Sequence, residues 1–254
     1  MNKYREISPG ARLARYVECY WSGEDSRGTP DHCVLPDGCV DILFSARNGE
    51  PLGLSVVGLM TTRQKFDLPA GQSFFGVRFR PGMATAFIPE AARLNDKMEP
   101  LENVSGMPGG DLFEKLAESA SPDAMTRVME SFLRPLEPPD AAQKVLEHLS
   151  LGELSVERLA LEGTLSMRQL RRVCFERAGV SPKYLMRILR FRRVAERIGA
   201  AAKKSVQPHW AQLAAANGYF DQAHLIREFQ EFGGCTPGRF LQSFPADVFI
   251  ESNP

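Results

Sequence analysis

The spacing of apolar residues divides the chain into two parts with different periods. In the N-terminal part, short runs of β-branched and aromatic side chains alternate with polar positions, so that Val40, Ile42 and Phe44 share one strand face. Strands are predicted at residues 16–21, 40–45, 54–57 and 74–79. A tight turn is expected at 36–38, where the sequence reads Pro-Asp-Gly. We therefore expect a small antiparallel barrel or a sandwich.

After residue 104 the apolar period becomes helical. Residues 112–117 and 124–132 each place apolar side chains on one helix face, and Ser121-Pro122-Asp123 is a typical helix start. The proline-rich segment 135–139 then interrupts the helical pattern and stiffens the chain. The sequence thus predicts an α+β protein with a β-rich domain at 1–104, a helical connector and linker at 105–139, an all-α domain at 140–244 and a tail at 245–254.

An internal repeat fills the all-α domain. Ser166, Leu170, Arg172, Gly179 and Pro182 return 55 positions later as Asp221, Leu225, Arg227, Gly234 and Pro237. Each copy reads as a supporting helix (156–161 or 211–216), a turn (Gly163 or Asn217-Gly218) and a second helix capped by Ser166 or Asp221. Two helix-turn-helix units are therefore predicted, and the second helix of such a unit enters a DNA major groove.

The exposed N-terminal halves of the two second helices hold side chains suited to reading bases. Arg matches the edge of guanine, Gln that of adenine, and Ala the thymine methyl group. A helix predicted at 183–202 separates the units and spans about 30 Å, close to the spacing of about 34 Å between successive major-groove faces. The candidate DNA-contacting residues are Ser166, Arg168, Gln169, Arg171, Arg172, Lys183, Arg187, Gln222, Ala223, His224 and Arg227.

Charge is distributed unevenly, although the formal net charge of the chain is zero. Residues 141–244 carry 16 Lys and Arg against 9 Asp and Glu, whereas residues 1–140 carry 15 against 20. The neutral total thus conceals a basic module, and a basic surface is the electrostatic footprint of phosphate contact. A basic helical bundle that binds another protein, with no affinity for DNA, is the alternative interpretation.

Residues 141–244 resemble the DNA-binding domain of AraC/XylS-type transcription regulators. The resemblance rests on Ser-Met-Arg-Gln-Leu-Arg-Arg at 166–172, Gly-Val-Ser-Pro at 179–182, and Gly-Tyr-Phe-Asp-Gln-Ala-His-Leu-Ile-Arg-Glu-Phe at 218–229 before Gly-Cys-Thr-Pro at 234–237. It implies that the second helix of each unit reads bases in adjacent major grooves of double-stranded DNA. One position departs from the family pattern, because Cys174 stands where the family usually has Phe, and Phe175 follows one place later.

The N-terminal part has a resemblance of its own. Leu-Pro-Asp-Gly-Cys-Val-Asp-Ile-Leu-Phe at 35–44 and Phe-Gly-Val-Arg-Phe-Arg-Pro-Gly at 75–82 are similar to an uncharacterised sensor-like domain found ahead of some AraC-type DNA readers. The resemblance implies that this half binds a small effector or dimerises, on a cupin-like barrel or a sandwich. A small-molecule effector, a second copy of the chain in a homodimer and RNA polymerase are thus candidate partners besides DNA.

Charged residues on the polar strand faces are the candidate effector contacts. They are Asp37, Asp41, Arg78 and Arg80. An arginine in a pocket suits the carboxylate or phosphate group of an anionic ligand. A solvated strand face, or an Asp–Arg pair that braces the fold, explains the same pattern. Tyr20, Trp21 and Phe44 are expected either to line such a pocket or to belong to the core.

Cys33 and Cys39 raise the alternative of an alkyl-accepting protein or a thiol or metal sensor. Together with His32 they lack the paired spacing of a zinc site, and a free cysteine beside a strand most often packs as a small hydrophobic residue. The sequence shows no catalytic constellation and no cofactor motif, so we expect neither enzyme activity nor a cofactor or metal. It also has no apolar run long enough for a membrane helix, so a cytoplasmic location is expected.

Overall fold

The computed structural model describes residues 3–104, 109–136, 144–147 and 166–242 of the chain. The strands in these ranges are β1 (Lys3–Ile7), β2 (Val17–Asp25), β3 (Thr29–Val34), β4 (Val40–Arg47), β5 (Glu50–Val57), β6 (Gln64–Leu68), β7 (Gln72–Phe79) and β8 (Met98–Pro100). The helices are α1 (Gly109–Ala117), α2 (Pro122–Phe132), α3 (Met167–Ala178), α4 (Pro182–Lys203), α5 (Trp210–Ala216), α6 (Gln222–Gly233) and α7 (Pro237–Gln242).

The strands form two antiparallel sheets. The larger sheet has the order β1-β2-β7-β4-β5-β8, and the smaller sheet consists of β3 and β6. Strands β2, β4, β5 and β7 confirm the four predicted from the apolar alternation. Strands β1, β3, β6 and β8 were not predicted, because their short and largely polar sequences carry little alternation. Since β1 and β8 are the edges of the larger sheet, this sheet is open, and the N-terminal part is an antiparallel β domain as expected.

Alternation along the central strands separates an apolar face of the larger sheet from a polar one. Phe44 of β4 and Phe79 of β7 are buried. The centre of the Phe44 ring lies 5.8 Å from that of Phe113 in α1, and the centre of the Phe79 ring lies 5.3 Å from that of Phe87. Burying one such aromatic side chain contributes about 1.5–3 kcal/mol to folding. The apolar face therefore carries the core, which leaves Asp41 and Arg78 on the opposite face, towards the smaller sheet.

The repeated helices begin and end as the sequence predicts. Ser166 caps α3 in a capping box with Gln169, and Asp221 caps α6 through its side chain. The helices end at Gly179 and Gly234, both in the left-handed conformation, with φ of 69° and 71°. The same local chemistry thus builds both recognition helices.

The C-terminal helices pack directly on the N-terminal part. The buried apolar residues of the described chain form one continuous cluster that runs from the sheet into these helices. At the end of α3, a Cβ added to Gly179 would lie only 2.1 Å from the Ala92 carbonyl oxygen. Asn95 Nδ2 donates to the Ala178 carbonyl at 3.2 Å, and Tyr184 Oη in α4 donates to the Thr61 carbonyl at 3.2 Å. The prolines of the linker therefore do not keep the two parts separate.

Some predicted features lie outside the described residues. These are the supporting helix at 156–161, the turn at Gly163, part of the linker and the tail at 245–254. The helices predicted at 183–202 and 211–216 are confirmed as α4 and α5. No helix in the described ranges is long and apolar enough to cross a membrane.

Candidate nucleic-acid interface and ligand cavity

The first recognition helix, α3, presents a basic edge to solvent. Arg168, Arg171 and Arg172 are exposed, while Leu170 on the opposite side is fully buried. Arg172 lies 3.7 Å from Glu176 one turn later, and both side chains are largely exposed. Such a surface pair contributes no more than about 1 kcal/mol, so it leaves the guanidinium available to a phosphate or a base.

The departure from the family pattern in α3 has a simple structural outcome. Cys174 takes the buried position that Phe229 takes in α6, and Phe175 is 55% exposed. Burial raises the pKa of the Cys174 thiol to about 12, so the side chain stays protonated and packs as a small apolar group. The first unit therefore keeps its helix with a smaller core residue.

The second recognition helix, α6, exposes Gln222, Ala223 and Arg227. His224 is half-buried, and its Nδ1 accepts a hydrogen bond from the backbone N–H of Phe220 at 3.4 Å. The Phe220 side chain itself is 93% exposed beside the start of the helix. Three of the four candidate base-reading residues in α6 thus face solvent. The fourth, His224, is half-buried and accepts a hydrogen bond within the fold.

Helix α6 is fixed to α4 by a buried carboxylate. Glu228 is almost fully buried and accepts hydrogen bonds from Arg187 Nε at 2.9 Å and from Arg190 Nη2 at 2.6 Å. Burial alone would raise the pKa of Glu228, but its hydrogen bonds with Arg190 and Arg187 hold the pKa below its ordinary value. The charged carboxylate thereby sets the angle between the linking helix and the second recognition helix.

Arg187 is consequently placed differently from the other candidate DNA contacts. Its guanidinium also donates to Glu231 at 2.5 Å and lies 5.1 Å from the centre of the Phe232 ring. Ser166 and Gln169 are likewise engaged with each other in the capping box. Lys183 is exposed at the start of α4. The structure thus gives Arg187, Ser166 and Gln169 roles inside the fold.

The N-terminal part contains a cavity of about 420 Å³ between the polar face of the larger sheet and the smaller sheet. This volume lies within the usual range for small-molecule sites. Trp21 forms part of its wall, and Gly76 makes room for the indole, since a Cβ at Gly76 would lie 2.2 Å from the ring. Tyr20 and Phe44 are buried in the core instead. Of the three aromatic candidates, only Trp21 lines the cavity.

Three of the four charged effector candidates meet at this cavity. Arg78 Nε lies 3.4 Å from Asp37 Oδ2 and 3.5 Å from Asp41 Oδ1, and Trp21 Nε1 donates to Asp41 Oδ2 at 3.0 Å. Burial alone would lower the pKa of Arg78, but Asp41 and Asp37 raise it, so the guanidinium stays charged. Arg80 does not line the cavity, and its Nε donates to the Ala14 carbonyl at 2.9 Å. Arg80 thus braces the chain that leads into β2.

Cys33 and Cys39 both line the cavity as well. Burial raises the pKa of Cys33, and it raises that of Cys39 well above the ordinary value, to which the charges of Asp37 and Glu18 add. A thiol with a raised pKa holds little thiolate, the form that reacts with alkyl groups or metals. Among the described residues, no group of three or more His, Cys, Asp and Glu side chains could hold a metal ion.

One arginine of α4 connects the cavity to the helical part. Arg192 forms an ion pair with Glu18 of β2, and its Nη1 also donates to the Asp37 carbonyl at 3.4 Å and lies 3.3 Å from Cys39 Sγ. Asp37 and Cys39 belong to the cavity lining. Sequence reasoning missed Glu18 and Arg192, because Glu18 reads as one polar position of a predicted strand and Arg192 as one charge of a basic helix. Their pairing joins positions far apart in the chain.

The exposed basic helices and the cavity together fit one class of protein, a DNA-binding regulator with an additional N-terminal domain. Residues 5–99 match a domain of unknown function (DUF6597), and residues 159–243 match a helix-turn-helix domain of AraC type. The chain therefore carries a DUF6597 domain followed by an AraC-type helix-turn-helix domain, which confirms both resemblances noted in the sequence for these two ranges.

The chain is also similar to solved structures of ToxT from Vibrio cholerae. The crystal structure of ToxT at 1.65 Å resolution shares 10% identity, covers 95% of this chain and 98% of its own, and gives a TM-score of 0.42. The structure of unsaturated fatty acid-bound ToxT shares 10% identity, covers 92% and 96%, and gives a TM-score of 0.40. No curated protein matches the chain.

Proposed function

We propose that this regulator reads a specific DNA sequence with α3 and α6, which enter adjacent major grooves, under the control of a small effector bound in the N-terminal cavity. The observation that carries the first part is the pair of exposed edges at equivalent repeat positions, Arg172 in α3 and Arg227 in α6. Helix α4 between them has 22 residues and is about 33 Å long, close to one helical turn of B-DNA.

The contacts of the candidate DNA-binding residues suggest a different role for each group of them. Arg168, Arg171 and Arg172 on α3, and Gln222, Ala223 and Arg227 on α6, are the proposed base readers. Lys183 is a proposed phosphate contact, whereas Arg187 acts by fixing α6 through Glu228. RNA polymerase and a second copy of the chain are further proposed partners, and DNA binding favours a cytoplasmic location.

Control by an effector rests on the position of the cavity. Asp37 and Cys39 line it, and both are touched by Arg192 of α4, the helix that links the two recognition helices. A ligand that moves the 37–39 loop therefore changes the surface on which α4 rests. An alkyl-accepting or thiol-sensing role for Cys33 or Cys39 is disfavoured, because burial raises the pKa of both thiols.

The test of DNA reading compares Arg172→Ala with Arg227→Ala by selection of bound sequences from a random duplex pool. Each variant should relax base preference in one half of the site, at a cost of about 1–3 kcal/mol on the preferred sequence. Arg27→Ala, an exposed arginine in the N-terminal part, is the matched control and should change nothing. If both variants lose affinity equally for preferred and random DNA, the two arginines contact phosphates and the assignment of base readers fails.

A further inference from the structure

The charge on the cavity floor is the feature that the sequence pattern did not reveal. Arg78 is a single cation held between two carboxylates, at 3.4 Å from Asp37 and 3.5 Å from Asp41. All three side chains are largely buried, with 12%, 28% and 14% of their surface exposed. The floor of the cavity therefore carries one more negative charge than positive charge.

The remaining ionisable groups near the cavity do not cancel this excess. Asp67 and Asp96 also line it, against Lys97 as the second cation and His32. Behind the floor, Arg192 is already matched by Glu18. Towards the other side, Glu6 accepts a hydrogen bond from Tyr4 Oη. Anionic groups thus outnumber cationic ones among the residues that line the cavity.

Two atoms of the floor lack a hydrogen bond. Asp41 Oδ1 and Arg78 Nε are fully buried, and within the described residues neither has a hydrogen-bond partner. A buried carboxylate oxygen without a donor costs the folded protein free energy. Consistent with this, burial raises the pKa of Asp41 to about 6, Arg78 lowers it, and the neighbouring Asp37 charge raises it further. A cation bound against the Asp41 side chain would favour its charged form.

The cavity walls are apolar and aromatic. Trp21 closes one side of the floor, and the lining includes the side chains of Tyr4, Phe66, Phe74 and Met60. Aromatic faces attract cations through their quadrupoles, and Trp does so most strongly. The walls therefore accept an apolar body and favour a positive charge within it.

We propose that the cavity binds an organic cation, in which an apolar body carries a protonated amine that pairs with the Asp41 carboxylate beside the indole of Trp21. This inference deepens the proposed function, because it rests on the cavity being the effector site and names the class of the effector. An anionic ligand was expected from Arg78 in the sequence. The head group of an anionic ligand would meet two carboxylates that already neutralise Arg78. A like charge at short range in a buried site is unfavourable.

The experiment measures binding of matched probes to the full chain by calorimetry and by thermal shift. The probes are hexylamine, octylamine and 3-phenylpropylamine, each compared with the carboxylate and the alcohol of the same skeleton. We expect at least one amine to bind and to raise Tm. The carboxylate of the same skeleton should bind at least about tenfold more weakly. Asp41→Asn, which keeps the shape of the side chain, should weaken the amine by about tenfold to a hundredfold.

Asp67→Asn is the matched control, because it removes the same charge from the cavity lining at a carboxylate that already accepts a hydrogen bond from the Asp31 backbone. The amine should lose less than about threefold in this variant if Asp41 is the direct contact. If Asp41→Asn fails to fold, Asp37→Asn serves in its place, with the same direction of change expected from the lost floor charge.

If carboxylates bind more tightly than amines, and Arg78→Gln weakens the carboxylates, the proposal of a cationic effector is wrong. The cavity would then remain the effector site. Equal binding of amines, alcohols and carboxylates, or an equal loss in Asp41→Asn and Asp67→Asn, would also overturn it. If no probe of any charge binds, both the cation and the cavity as an effector site fail, while DNA reading by α3 and α6 is tested separately.

Discussion

The ion pair between Glu18 and Arg192 should hold the helical part against the N-terminal part. The two side chains are 19% and 12% exposed, so the pair lies largely out of water. Burial alone would raise the pKa of Glu18, but Arg192 holds it below its ordinary value, so the carboxylate is charged at neutral pH. Removing one partner leaves the other charge buried, and such a change typically costs about 3–5 kcal/mol.

A double-mutant cycle measures the coupling. Arg192→Met and Glu18→Gln should each lower the free energy of unfolding by about 3 kcal/mol, and the double variant should lose much less than the two together. Equilibrium urea unfolding of the four proteins gives these values. Arg197→Met, an exposed arginine on the same helix, is the control and should change stability by no more than about 0.5 kcal/mol.

The double-mutant cycle also shows whether Glu18 and Arg192 are energetically coupled across the contact between the two parts of the protein. If the losses of the two single variants simply add in the double variant, the residues are not coupled and the proposed route from the cavity to α4 is refuted. If they are coupled, Arg192→Met should also change the DNA affinity of the full chain, because it alters the support of the helix between the two readers. Unchanged DNA affinity would limit the pair to a role in stability.

Three further predictions follow from single residues. The pKa of Asp41 is raised to about 6 in the folded protein and is about 3.9 in an unfolded chain, so its stabilising contribution is complete below about pH 4 and is lost as pH rises through 6. Asp41→Asn should remove this pH-dependent loss of up to about 3 kcal/mol, as measured by thermal unfolding across that range, and an unchanged pH profile would contradict it. Ser166→Ala should cost about 1 kcal/mol in urea unfolding through loss of the α3 cap, whereas Ser166→Asp should restore most of it. Gly179→Ala should cost more than about 2 kcal/mol, because it adds left-handed strain to a contact with the Ala92 carbonyl, and a neutral effect would mean that the two parts separate there freely.

The recognition helices show what local sequence determines. Ser166 and Asp221 cap helices, Gly179 and Gly234 end them, and the 55-residue repeat of these signals was enough to predict two helix-turn-helix units. Each signal acts within one turn of the chain, so neighbours in sequence are neighbours in space. The alternation in β4 and β7 worked for the same reason, because the strand period of two assigns each side chain to a face without knowledge of its partner.

The ligand cavity shows what only the tertiary structure decides. The sequence singled out Asp37, Asp41 and Arg78 but left open whether the arginine binds an anion or pairs with an aspartate, because the pattern could not show that both carboxylates pair with it. Strands β4 and β7 had to pair, with Asp41 opposite Arg78, before the surplus of negative charge existed. Glu18 meets Arg192 across most of the chain for the same reason. Charge at a site is a sum over residues brought together by folding, so no local pattern determines it.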